Sequence, residues 1–240
     1  MAVPTRAEAL SLLMSTAPSA RLLQHMTVVA EVASFLAYRA TRAGVSVDRR
    51  LVETAALLHD VDKALPREHP LRELGHGRAG AAWLSESGHA ELARAVAAHP
   101  VTRLDEPAAA GWVEDAPIEE RIVTYADKRG TRRVVSLDQR FARWQRRHPE
   151  YGGQLERALR MARRLETVLC ETIGIDPGEV ERLRWVDEAM ARAQANGSLG
   201  PLTDAAEDGS RGPPAPSKDS AEHGSPQRST STAADPSTVA

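Results

Sequence analysis

Apolar residues recur in this chain every three or four positions and almost nowhere every two. That spacing lays an apolar stripe along a helix and gives no half-buried strand face. Helices must therefore bury their stripes against other helices, so an all-α fold is expected. Alanine, leucine, arginine and glutamate dominate the periodic stretches, which favours the same outcome. Helices are drawn at 5–15, 20–43, 48–62, 76–88, 90–99, 117–128, 134–147, 151–172 and 177–195. Asp48 precedes "RRLVETAALLHD" as an N-cap, and Gly44 follows the second helix as a stop. Pro66, Pro70, Pro100, Pro107, Pro117 and Pro149 fall between segments, where helices end. No internal repeat is visible. The expected organisation is an N-terminal helix over 1–19, a helical domain over 20–147, a helical extension over 148–196 and a disordered tail over 197–240. It is not a simple four-helix bundle.

The tail follows from composition. From Thr203 to Ala240 the only large aliphatic residue is Val239, and there is no aromatic residue. Such a segment buries too little apolar surface to offset its ordering entropy. The chain carries a formal charge of −2. The tail holds six acidic and three basic residues, a balance of −3, which leaves the body near +1. That balance does not point to nucleic-acid binding, and no specific nucleic-acid partner is expected. Cys170 is the only cysteine, so no intramolecular disulfide forms and the residue is read as a small buried hydrophobe. Glu8 interrupts the only apolar stretch of the N-terminus, which makes a poor signal peptide. No window approaches eighteen apolar residues. A cytoplasmic protein without a membrane partner is expected; its oligomeric state is not legible.

The segment "AALLHDVDKALP" (Ala55–Pro66) carries the chemistry. An apolar run ends in His59-Asp60, then Asp62 and Lys63, and a buried aspartate requires a partner. Similar interruptions occur elsewhere. His25 shares a stripe with Val29, Val32 and Leu36; His59 with Leu51, Val52 and Ala55; His99 with Leu92, Ala95 and Val96. His76 falls with Ala79, Gly80 and Trp83, and Asp127 follows Val123 and Thr124 by one turn. Each alone reads equally as a satisfied core histidine or a helix-end aspartate. Five helical segments doing so together call for a shared ligand. Imidazole and carboxylate suit a divalent metal, with Fe or Mn favoured and Zn, Co and Mg compatible; the lack of thiolates argues against a structural zinc. His69 and His89 sit among turn residues and receive no role, and His148 and His223 are read as solvent-exposed.

The order His25 … His59-Asp60 … Asp127 resembles the H…HD…D ligand set of the HD-domain metal-dependent phosphohydrolases (the HDIG type). "ALLHDVDK" is similar to that family's "LLHDIGK", and "IVTYADKR" to its last-ligand helix. His76 and His99 stand where the two-metal branches place two further histidines. Those branches include the YqeK-like symmetrical diadenosine tetraphosphatases, the nearest match, and the HD-GYP cyclic dinucleotide phosphodiesterases. The resemblance covers roughly residues 20–147. Asp62 replaces the glycine of "HDIG", no GYP element is present, and Arg129-Gly130-Thr131-Arg132-Arg133 follows "YADK" where the tetraphosphatases continue with Glu, Pro and Arg.

The resemblance implies one or two metal ions. One ion takes His25, His59, Asp60 and Asp127; the other takes His76 and His99, with Asp60 bridging. Adjacent His59 and Asp60 would diverge by about 100° around a helix. Ions about 3.5–4 Å apart activate a hydroxide for attack on a phosphate ester or anhydride of a small, nucleotide-like substrate. Asp60, Asp62 and Lys63 are the implied catalytic residues, with Lys63 also binding substrate. Lys63 otherwise faces solvent, and Asp62 is otherwise an acceptor for a ligand histidine or a surface residue. Lys128, Arg129, Arg132 and Arg133 form a positive cluster beside Asp127 that would attract polyphosphate. The run "RFARWQRRHPEY" places Arg140, Arg143, Arg146 and Arg147 around Phe141 and Trp144. It reads as an amphipathic helix with packed aromatics, or less directly as an RNA contact. Two other functions compete: a di-iron oxygenase on the same ligand set, and a non-catalytic nucleotide sensor.

Overall fold

The computed structural model describes residues 2–183. The tail, His223 and the last part of the 177–195 helix lie outside the described residues. Ten α-helices run in chain order: α1 Arg6–Ser15, α2 Ala20–Arg42, α3 Arg49–Leu58, α4 Arg78–Glu86, α5 Ala93–Ala98, α6 Ala109–Asp115, α7 Ile118–Arg129, α8 Leu137–Arg147, α9 Gly152–Ile173 and α10 Pro177–Glu181. Short 3-10 turns fill several connections. The described residues contain no strand, only one isolated bridge between Gly130 and Val134. The fold is all-α, as the periodicity requires. No helix among the described residues is long and apolar enough to cross a membrane.

Side chains at the helix starts satisfy backbone N–H groups that have no intrahelical partner. Thr5 and Glu8 form a capping box at α1, as do Ser136 and Gln139 at α8. Ser19 accepts from Leu22 at α2, and Asp48 accepts from Leu51 at 2.9 Å at α3. At the other ends, Gly44 and Gly174 take positive φ just beyond α2 and α9, a conformation that glycine adopts without strain.

The long helix α2 forms the spine. Val28, Val29, Val32, Ala33, Leu36 and Ala40 are buried along it, and it packs against α3, α7 and α9. Helix α7 contributes Ile122, Val123, Tyr125 and Ala126 to the same core. Cys170 is buried in α9, as expected of a small hydrophobe. Gly130 leaves α7 with an extended φ of −92° at a tight approach to α2; a Cβ there would lie 2.5 Å from Val29 Cγ2.

Four features differ from the sequence reading. Helix α6 (Ala109–Asp115) lies in what reads as a linker, between Pro107 and Pro117. Helix α3 ends at Leu58 rather than 62, and Asp60 turns out of it with φ −103° and ψ 17°. His76 precedes α4 instead of lying on it, because Gly77 bends the chain at φ +80°. His148 is half-buried with its ring 6.3 Å from that of Tyr151, so it is not the exposed residue expected.

Candidate metal centre

Two helices end in the same way at the site. Helix α3 stops at His59, whose Nδ1 donates to the Ala56 carbonyl at 2.7 Å. In a continuing helix that carbonyl would receive the Asp60 amide. Helix α5 stops at His99, whose Nδ1 donates to the Val96 carbonyl at 2.6 Å. Here the next residue is Pro100, which has no N–H to offer. Each histidine therefore caps its own helix. His76 is fixed differently: its Nδ1 donates to Asp62 Oδ2 at 2.9 Å, and the Gly77 amide donates to the same oxygen at 3.3 Å.

These bonds fix the proton of all three rings on Nδ1, since carbonyl and carboxylate oxygens only accept. The Nε2 lone pairs then point into a common space. His99 Nε2 lies 3.0 Å from His76 Nε2, and His59 Nε2 lies 3.2 Å from His25 Nε2. The ring centroids form a continuous chain, with His25–His59 at 5.0 Å, His59–His99 at 4.8 Å and His76–His99 at 4.7 Å.

Asp60 divides this chain. Its Oδ2 lies 3.3 Å from His25 Nε2 and 3.5 Å from His59 Nε2. Its Oδ1 lies 3.4 Å from both His76 and His99 Nε2. Each carboxylate oxygen thus faces one histidine pair. Asp127 comes from the last turn of α7, with its Oδ1 3.2 Å from His25 Nε2 and 3.5 Å from His59 Nε2. Three triads form within this set: His25, His59 and Asp60; His59, His99 and Asp127; and Asp60, His76 and His99. The ligand atoms of each triad lie within 4.8 Å of one another. His59 and His99 are closed off, while His25 and His76 side chains keep 14% and 26% exposure and form the open side.

Cations stand behind the carboxylates. Lys63 Nζ donates to Asp60 Oδ2 at 2.8 Å, and Lys128 Nζ donates to Asp127 Oδ2 at 2.6 Å. Lys128 also donates to the His99 carbonyl at 2.6 Å, tying the end of α5 to α7. Burial opposes the charge on Asp60, but Lys63 and the surrounding histidines hold its carboxyl well below the usual range. Burial likewise opposes the charge on Asp127, and Lys128, His25 and His59 hold it well below. Burial also opposes a charged His59, but Asp60 and Asp127 raise it. Burial pushes His99 down to about 4, against the bond to Asp60 and with the help of His76 and His59. A neutral His99 presents a lone pair.

This donor set fits a divalent metal ion. Facing imidazole lone pairs 3.0 Å apart repel unless a cation lies between them. Asp60 Oδ1 is buried and has no hydrogen-bond partner among the described residues. Neutral nitrogens and ionised carboxylate oxygens are the donors that such an ion takes. The residues of the two implied sites, His25, His59, Asp60 and Asp127 on one side and Asp60, His76 and His99 on the other, share one space.

The residues around the cluster differ in what they reach. Lys63 borders the cluster with 34% side-chain exposure. Asp62 accepts from His76 and Gly77 and so orients the ring, the histidine-acceptor role that the sequence offered as one of its readings. Lys128 is buried and holds Asp127 and the His99 backbone, so it is not a free charge for substrate. Arg129 is not brought to the cluster: it donates to Tyr125, Glu166, Glu181 and the Val135 carbonyl, toward α9 and α10. Arg132 and Arg133 are exposed on the loop after α7. Arg140, from α8, was not singled out for the site, yet its Nη2 lies 3.6 Å from Asp127 Oδ1. The signal was its position: it precedes Trp144 by one turn and so shares the aromatic side of α8.

One glycine sets the distance between the second histidine pair. Gly77 has φ +80°, and a Cβ there would lie 2.5 Å from Pro100 Cγ. Gly77→Ala is expected to cost about 1–3 kcal/mol of stability, from the left-handed backbone and the overpacking together. It should also loosen His76 from His99. Thermal unfolding and metal retention of the variant check this; a variant with unchanged stability and full metal would refute it.

Residues 22–131 match the family model of the HD domain. No curated protein and no solved structure matches the chain.

Proposed function

We propose that this chain, built around an HD domain in residues 22–131, is a metal-dependent phosphohydrolase of the two-metal, YqeK-like kind. Its substrate is a nucleotide-like phosphate ester or anhydride. The observation that carries this reading is the charge balance of the site. Asp60, Asp62 and Asp127 are three carboxylates; Lys63, Lys128 and Arg140 are three cations that face two of them. The side chains are balanced without any ion, so each divalent cation that enters adds surplus positive charge in a partly buried space. An anionic substrate with several oxygens compensates it. This favours a phosphate substrate.

The residues divide the work. His25, His59, His76 and His99 with Asp60 and Asp127 would hold the metal. When bound, such ions polarise a phosphoryl group and acidify water. His59 and His99 keep their protons on Nδ1 through the backbone, so their Nε2 atoms stay available as donors. Asp62 does the same for His76 through its carboxylate. Lys63 is protonated, because Asp60 raises it against the pull of burial, and its exposed end reaches phosphate from the open side.

The test is metal content of the purified full chain, together with phosphate release from a nucleotide panel that includes diadenosine tetraphosphate. Release that needs metal is expected. Chelation should also lower the melting temperature: an ion present at a hundred times its dissociation constant stabilises by about 2.7 kcal/mol, a shift of several degrees at this size. Bound metal with no release from any phosphate compound would move the assignment to the oxygenase or the sensor. A melting curve unchanged after verified metal removal would refute the metal centre.

A further inference from the structure

Arg140 lies beyond the residues so far given a role in the chemistry. Its guanidinium stacks on Trp144, with Cζ 4.5 Å from the ring centroid, and Phe141 braces that ring edge-on at 5.0 Å. Stacking on an aromatic face fixes the guanidinium plane. One edge of the plane faces the site. Nη2 lies 3.6 Å from Asp127 Oδ1, the oxygen that also faces His25 and His59. That separation is too long for a hydrogen bond but close enough for attraction. Asp127 needs no further donor, since Lys128 holds its Oδ2 at 2.6 Å and His25 faces its Oδ1. Arg140 Nε is buried and has no acceptor among the described residues. A guanidinium fixed in orientation, half-buried beside metal-ligand candidates and with its Nε short of an acceptor has donor capacity for an incoming anion.

We propose that Arg140 binds a phosphoryl oxygen of the substrate on the Asp127 side of the metal centre, opposite the oxygen taken by Lys63. This rests on the phosphohydrolase reading and adds to it a second anchor. Lys63 comes from the turn after α3 and Arg140 from α8, so the two cations approach from different elements. A phosphoryl group held between them is fixed at two oxygens. Arg140 supplies the planar fork and Lys63 the point charge.

The experiment uses the metal-loaded full chain and inorganic phosphate as the probe. Phosphate affinity by calorimetry and bound metal by elemental analysis are compared for the wild type, Arg140→Met and Arg140→Lys. Arg140→Met is expected to keep its metal and lose about tenfold or more in phosphate affinity, the range of a charge-assisted hydrogen bond. Arg140→Lys should keep its metal and recover part of that loss, which a purely packing role of the side chain would not produce. Equal phosphate affinity in wild type and Arg140→Met would overturn the Arg140 assignment while leaving the phosphohydrolase reading intact. Loss of metal from both variants in step with phosphate would overturn it too, making Arg140 a positioning residue for Asp127. A metal-loaded wild type that binds no phosphate would instead overturn the phosphohydrolase reading itself.

Discussion

Asp60→Asn is expected to lose at least one equivalent of bound metal per chain and about three orders of magnitude in turnover. The fall in rate corresponds to about 4 kcal/mol of transition-state stabilisation. Asp60 is the one residue whose two oxygens face both histidine pairs. Asparagine has the same shape but offers a single acceptor; its amide nitrogen has hydrogens where a metal needs a lone pair. Whichever way the amide turns, one histidine pair loses its carboxylate oxygen. The matched control is Asp62→Asn. There the amide oxygen still accepts from His76 Nδ1, so the ring stays oriented and the loss should be about tenfold to a hundredfold, as for other groups behind a metal ligand. Elemental analysis and phosphate release on both variants separate the two roles. Equal effects of the two substitutions would refute the sharing of Asp60.

Arg129→Met should do the opposite: leave substrate affinity unchanged and destabilise the fold by about 2–4 kcal/mol. Arg129 is almost fully enclosed and ties α7 to α9 through Glu166, with Tyr125 donating to the same carboxylate at 2.6 Å. Removing one partner of a buried pair leaves the other charge uncompensated, at a cost of about 3–5 kcal/mol when the burial is complete. Glu166 keeps some exposure and Glu181 more, which softens that cost. At this chain length the melting temperature should drop by about 5–15 °C. Calorimetry and a Michaelis constant for the active substrate check it. A stable variant with a raised Michaelis constant would restore Arg129 to the substrate site.

These two residues mark what was legible in the sequence. The helices were legible because most bury a stripe at 3.6-residue spacing, and α3 also begins at the recognisable cap Asp48. Helix α6 was not, because seven residues between two prolines carry too few apolar positions for a period to emerge. The five polar interruptions, His25, His59, His76, His99 and Asp127, were legible as a set, since each breaks an apolar face. Their local geometry was not. The ends of α3 and α5 depend on a ring nitrogen reaching back to a carbonyl three residues earlier, and no propensity encodes that bond. The positive residues failed for a simpler reason. Lys128 and Arg129 are neighbours in sequence but about 100° apart around α7, so one meets the cluster and the other meets α9. Arg140, eleven residues further along, returns to the site because α8 packs back against α7.

The histidine caps also bear on how the centre is put together in time. A capping bond forms when its helix forms, and it involves only that helix's own backbone. His59 and His99 are therefore committed to one tautomer as soon as α3 and α5 exist, with their lone pairs already aimed. Lys63 and Lys128 meanwhile shield the two carboxylates, so the chain can collapse around them without a cation from outside. An ion that binds there would meet two rings already oriented by their own helices, so less conformational entropy remains to be lost. On the proposed function, the supply of metal rather than a new round of folding would set how much of the protein is active.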